Sequence, residues 1–163
     1  MKRGWIALLV AALAADQLAK LWAREVLLAQ HGGALALWPG VVGWRFADNA
    51  GAAFSALAGQ KWFLIAASSV LVVAVLAYLI FRRDMPSSLR AGLALIAAGG
   101  IGNLIDRLRF GYVVDFIEFQ FMRFAIFNFA DICITFGVGI VIIGMLVTGG
   151  ERVGRKHLSS RTE

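Results

Sequence analysis

A chain of 163 residues that is 60% hydrophobic and only 16% charged is one domain or one membrane bundle, with too little polar side chain to cover a water-soluble surface. Its single cysteine, Cys133, excludes an intrachain disulfide. A net charge of +6 first suggests nucleic acid or anionic lipid, and its distribution along the chain decides otherwise.

The first apolar run, 4–22, is interrupted only by Asp16, Gln17 and Lys20. At about 1.5 Å per residue it spans roughly 28 Å, the thickness of a bilayer core. Trp5 and Trp22 fall near its ends, where indoles favour the interface. Lys2-Arg3, a short apolar run and Ala12-Leu13-Ala14 also fit a cleavable signal peptide, but the helical pattern continues through Leu18, Leu21 and Trp22, so a retained span is expected. The segment 26–61 follows as a loop. In it two short apolar runs flank Pro39-Gly40, the pattern of a small hairpin. The run 62–81 carries no charge and is the clearest span. A third, 91–105, is rich in alanine and glycine, a second loop covers 106–123, and a fourth span covers 124–147, with Asp131 inside it.

Four spans place both termini on one side. That side holds Lys2, Arg3, Arg82, Arg83, Arg90, Arg152, Arg155, Lys156 and Arg161 against Asp84, Glu151 and Glu163, which is the whole of the +6. By the positive-inside rule it is the cytoplasm, so the tail 149–163 is cytoplasmic and the two loops lie outside. The excess charge is a topology signal, and no nucleic-acid partner is expected.

Several polar residues remain. Asp115, in Val113-Val-Asp-Phe-Ile117, and Asp131, in Phe127-Asn-Phe-Ala-Asp131, each stand at the boundary of an apolar segment. A carboxylate at the edge of hydrocarbon is a functional-site hypothesis by default, and two that face one another can share a proton and activate water. Asp16 and Lys20 are spaced to pair across one helical turn, either as a self-neutralised ion pair or as the support of a polar site beyond it. Asn49-Ala-Gly51-Ala-Ala-Phe54-Ser55 is a run of small residues that fits close approach or an ordinary loop. Asn103, Asp106 and Arg107 share one helical face after Gly99, Gly100 and Gly102. For these three a structural Asp–Arg cluster capping the helix is the simpler reading. Asn128, Asp131 and Thr135 form a polar stripe on an otherwise apolar helix. Glu118 is expected to be solvated and Cys133 to pack.

Other chemistries find no footing. His31 and His157 are the only histidines and fall on opposite sides, so no HExxH zinc site exists. No serine triad assembles, and a Ser55–Lys61 nucleophile and base is a remote alternative. No Asp-Thr-Gly or Asp-Ser-Gly of a pepsin-like protease occurs. A small transporter or ion-conducting bundle lined by Asp and Arg is the competing class. Against it, the acidic residues sit at the outer ends of the spans and no inverted repeat is visible.

Read together and in order, Asp16-Gln-Leu-Ala-Lys20, Asn49-Ala-Gly-Ala-Ala-Phe54-Ser55, Gly99-Gly-Ile-Gly-Asn-Leu-Ile-Asp-Arg107, Val113-Val-Asp-Phe-Ile117 and Phe127-Asn-Phe-Ala-Asp131 resemble lipoprotein signal peptidase, or signal peptidase II, over nearly the whole chain. The chain departs at Ala19, where the family often has a hydroxyl residue, and at Ala125, where proline is common. The resemblance implies an all-α bundle of four transmembrane helices with a small extracytoplasmic β-sheet and a short interfacial helix. It implies a bacterial inner-membrane aspartic endopeptidase that removes the signal peptide of prolipoproteins before a diacylglyceryl-modified cysteine, without metal or cofactor. By resemblance the catalytic pair is Asp115 and Asp131. The supporting residues are Asp16, Lys20, Asn49, Gly51, Asn103, Asp106, Arg107 and Asn128. Phe54, Phe116 and Phe119 are candidates to line a groove for lipid, and the protein is expected to act as a monomer among membrane lipids.

Overall fold

The computed structural model describes residues 4–29, 33–51, 57, 59–82 and 84–159, with side chains described up to 147. Helix α1 (Gly4–Trp22) runs on into a π-helical turn, Ala23–Leu27. Strands β1 (Ala34–Trp38) and β2 (Val42–Asn49) follow, then α2 (Lys61–Phe81), α3 (Ser87–Arg109), β3 (Val113–Phe119) and α4 (Phe129–Ser159). Four helices are long and apolar enough to cross a membrane.

Helix α1 and the last turns of α3 turn polar residues inward. On α1 the buried residues are Ala12, Asp16 and Lys20, and the stripe continues through Ala23 and Leu27 of the π turn. Leu18 meanwhile is 67% exposed and Val10 57%. Water would reverse that arrangement, whereas hydrocarbon favours it, because buried polar groups then find partners and apolar groups face lipid. α2 likewise exposes Trp62, Val70, Val73 and Phe81.

α3 is the central helix and touches each of the other three. Its buried side is built from Gly92, Ala94, Ala97, Ala98, Gly99 and Gly102 before Asn103 and Asp106. A Cβ added at Gly99 would strike the carbonyl oxygen of Ala130 and lie 2.8 Å from Cγ1 of Ile134. The small residues thus let α3 and α4 approach closely, as membrane interfaces do. Helix α3 is longer than the expected span 91–105: it begins at Ser87 and continues to Arg109, because its polar last turn is held by the site below. Helix α4 begins only at Phe129. The five residues before it, assigned to the span from their apolarity, are extended. Phe127 bridges to Ile117, its oxygen accepting from the Phe116 and Ile117 nitrogens at 3.0 and 2.8 Å.

The three strands form one antiparallel sheet in the order β1-β2-β3. The β1–β2 connection is the hairpin expected at Pro39-Gly40, with Gly40 at φ +76 and the Val41 nitrogen donating to the Trp38 oxygen at 2.9 Å. One face of the sheet packs on the end of α1: Ala23, Leu27, Val114 and Phe116 form a buried cluster flanked by Trp44 and Phe46. The sheet thus lies at the end of the bundle where α1 ends. No separate interfacial helix stands among the described residues, and 52–56 lie outside them.

The α3–α4 contact supplies a stability test. Gly99→Leu is expected to cost at least about 1–3 kcal/mol by overpacking. Gly139→Ala, where nothing lies within 4 Å, should be neutral or slightly stabilising, since alanine suits a helix better than glycine. Thermal unfolding in detergent checks both, and a Gly99→Leu protein that melts with the parent would contradict the packing.

Candidate active site

Asp115 is the third residue of β3 and Asp131 lies in the first turn of α4. The chain contains three asparagines, and all three donate to these two carboxylates. Asn49, at the end of β2, gives its Nδ2 to Asp115 Oδ2 at 2.9 Å. Asn128 gives its Nδ2 to Asp115 Oδ1 at 2.6 Å. Asn103, on α3, gives its Nδ2 to Asp131 Oδ1 at 2.9 Å. The backbone nitrogen of Asn128 donates to Asp131 Oδ2 at 3.2 Å. All four carboxylate oxygens are therefore held, and Asn128 bridges the pair.

The reason Asn128 does this is local. It precedes α4 and its Oδ1 accepts from the Asp131 nitrogen at 3.0 Å, while Asp131 returns its carboxylate to the Asn128 nitrogen. That reciprocal exchange is a capping box, with Asn and Asp in place of the commoner Ser and Glu. Asp131 thus gets its orientation from the helix start itself. In the sequence the signal is Asn128-x-x-Asp131 ahead of an apolar run, which marks the helix start at Phe129 rather than at residue 124.

A second layer centres on Lys20, which is 2% exposed. Its Nζ lies 3.1 Å from Asp16 Oδ2 and 2.9 Å from Asp106 Oδ2, and donates to Asn103 Oδ1 at 2.9 Å. Each partner passes the constraint onward. Asp16 Oδ1 accepts from the Ala130 nitrogen of α4 at 2.9 Å, and Asp106 Oδ2 from the Val114 nitrogen of β3 at 3.1 Å. The Asn103 oxygen, turned to the ammonium, obliges its amide nitrogen to face Asp131. The Asp16–Lys20 pair therefore supports a polar site rather than only neutralising itself.

The expected Asp106–Arg107 cluster is not what forms. Adjacent helical residues diverge, so Asp106 faces Lys20 while Arg107 Nη2 donates to the Gly51 oxygen at 2.9 Å. The Gly51 nitrogen in turn donates to Asn49 Oδ1 at 3.0 Å. Gly51 thus enters through its backbone. Arg107 Nε is buried without a partner among the described residues. Phe116, expected in the groove, points the other way: successive strand residues alternate, and Phe116 joins the buried cluster behind the sheet. Glu118, expected to be solvated, is half-buried and lies 2.6 Å from the Arg45 guanidinium. Cys133 is buried and packs with Ala12 and Ala98. Lys61 Nζ sits over the Trp62 ring; Phe54 and Ser55 lie outside the described residues.

Two clefts meet at Asp115. One, of about 530 Å³, contains both aspartates, Asn103 and Arg107 and runs along α4 between Ile132, Ile134 and Phe136. The other, of about 790 Å³, opens across the sheet past Asn49, Ala47 and Arg45. Phe119 and Phe124 line both. Burial pushes the Asp115 carboxyl up to about 6; the Asn49 and Asn128 amides and Lys20 oppose this, and the nearby Asp131 adds to it. A buried acid that titrates near neutrality beside a second carboxylate is an arrangement suited to proton transfer.

The chain is similar to known proteins along most of its length. The chain is 37% identical over 141 residues to the "Lipoprotein signal peptidase" of Lactococcus lactis subsp. cremoris (strain MG1363), covering 86% of this chain and 92% of that one. It is 40% identical over 136 residues to the protein of that name in Latilactobacillus sakei subsp. sakei (strain 23K), covering 83% and 88%. A solved bacterial membrane enzyme superposes with a TM-score of 0.83 at 28% identity, covering 91% of this chain and 90% of its own. These likenesses, with four spanning helices, make the protein a multi-pass membrane hydrolase and set the transporter reading aside. The profile of the family described as "Signal peptidase (SPase) II" matches residues 8–147, and the chain belongs to that family.

Proposed function

We propose that the protein is an aspartic endopeptidase that cleaves diacylglyceryl-modified prolipoproteins on the N-terminal side of the lipidated cysteine, with Asp115 and Asp131 as its catalytic pair. The observation that carries this reading is the pair itself: two carboxylates on different elements, bridged by Asn128, where an apolar cleft meets an open one.

Nearby carboxylates share a proton because both cannot ionise cheaply. A water held between them loses a proton to the charged member as its oxygen attacks the scissile carbonyl. The protonated member hydrogen-bonds the carbonyl oxygen, and as the tetrahedral intermediate collapses a proton passes to the cysteine nitrogen. The C–N bond breaks, the signal peptide leaves as a carboxylic acid and the lipoprotein keeps a free amine. The apparent titrations belong to the pair. Arg107 lines the same cleft and holds the Gly51 carbonyl beside it. Asp16, Lys20, Asn49, Gly51, Asn103, Asp106 and Asn128 hold the two carboxylates in place. The basic excess at the termini puts them in the cytoplasm. The sheet end of the bundle then lies at the outer surface of the bacterial inner membrane, where the exported precursor and water meet. The active species is a monomer among membrane lipids.

Asp115→Asn and Asp131→Asn should each abolish conversion of a diacylglyceryl-modified precursor while leaving the protein in the membrane. Mature lipoprotein formed at the parental rate by either variant would refute the pair. Asn49→Leu removes an N–H that favours the charged form of Asp115. The carboxyl then rises further and holds its proton to higher pH, so the basic limb of the kcat/KM profile is expected to move upward in pH. A limb that stays in place, or moves down, would contradict the coupling.

A further inference from the structure

The sheet has two faces with different tasks. Trp44 and Phe46 of β2 pack against the end of α1 with Val114 and Phe116. The alternate residues of β2, Arg45, Ala47 and Asn49, line the 790 Å³ cleft on the other face. Asn49, at one end, holds Asp115. Arg45, at the other, is half-exposed and pairs with Glu118 of β3 at 2.6 Å. From Asp115 to Gln120 the β3 side of the cleft covers five residue steps, about 17 Å at roughly 3.4 Å per residue. That length accommodates about five residues of an extended chain.

The two clefts that meet at Asp115 differ in chemistry. The smaller runs down α4 between Ile132, Ile134 and Phe136, as a lipid and an apolar signal segment require. Beyond Asp115 itself, the larger is bordered by Arg45, Asp48, Glu118 and Arg123, two charges of each sign. A protease must hold chain on both sides of the bond it breaks. Here the part that remains after cleavage is the part that enters water.

We propose that this larger cleft binds, in extended form, the first several residues that follow the lipidated cysteine, and that it makes the enzyme sensitive to their length and charge. The inference rests on the cleavage reaction proposed above. Its occupant is a peptide segment of the substrate, set by continuity with Asp115 and by the mixed charge of the walls. Ala47, opposite Asp115 in the β2–β3 register, is the small residue that leaves the entrance open.

Two synthetic substrates test it: a diacylglyceryl-cysteine signal peptide ending in an amide at the cysteine, and the same peptide extended by five residues. The parent enzyme is expected to show a kcat/KM roughly tenfold or more higher for the extended peptide, with the gain saturating near five residues. Ala47→Trp should bring the ratio of kcat/KM for the extended peptide to that for the short peptide down toward unity. Glu118→Gln, which frees Arg45, should raise the preference for acidic over basic residues at the third to fifth added positions several-fold relative to the parent. Equal kcat/KM of the parent for short and extended peptides would overturn the proposal, as would an unchanged charge preference in Glu118→Gln. Failure of the parent to cleave either peptide would count against the reaction itself, not against the cleft alone.

Discussion

A single buried ammonium organises the site. Lys20 lies among Asp16, Asp106 and Asn103, and through them reaches α4, β3 and the amide that holds Asp131. Two carboxylates around one cation leave a net negative charge in a buried place, which is costly unless every remaining lone pair is used. Backbone and side-chain donors offset part of that cost: Asp16 takes the Ala130 nitrogen and Gln17 Nε2, and Asp106 takes the Val114 nitrogen. The Asp115–Asp131 pair is thus tied to the membrane bundle by a polar network as well as by the apolar cluster behind the sheet. Such networks fix geometry when fully satisfied.

The membrane makes that arrangement affordable in structural terms. With hydrocarbon outside, large apolar side chains face outward and the interior is free for small residues and polar contacts. α3 shows this most plainly: alanines and glycines along most of its buried side, then Asn103 and Asp106 in its last turns. The close approach at Gly99 places Ala130, and so the start of α4, where Asp131 meets Asn103. Packing in the span and geometry at the pair are therefore one problem.

Much of this was legible in the sequence. Apolar runs of bilayer length gave the four helices, Pro39-Gly40 gave the hairpin, and the isolated charges in greasy surroundings marked the residues that meet. What escaped was direction. Alternation along β3 sends Asp115 and Phe116 to opposite faces, so Phe116 left the groove for the sheet core. Neighbouring residues on α3 diverge, so Asp106 took Lys20 while Arg107 took the Gly51 carbonyl. The start of α4 was placed too early because 124–128 is as apolar as a span. Within it Phe127 bridges to Ile117 of β3, and the Asn128–Asp131 capping box marks the true boundary. That all three asparagines converge on two aspartates is a property of tertiary contact, and no spacing along the chain carries it.

Lys20 acts on the pair by orienting Asn103 and not merely by neutralising Asp16 and Asp106. Lys20→Met alone leaves two buried carboxylates unpaired and should lose about 3–5 kcal/mol of stability. Lys20→Met combined with Asp16→Asn and Asp106→Asn removes those charges while leaving acceptors for the Ala130 and Val114 nitrogens. Thermal unfolding and kcat measured together on the triple variant separate the two roles. The expected result is a Tm largely recovered from that of Lys20→Met with kcat still strongly reduced; recovery of both to the parental level would contradict the account.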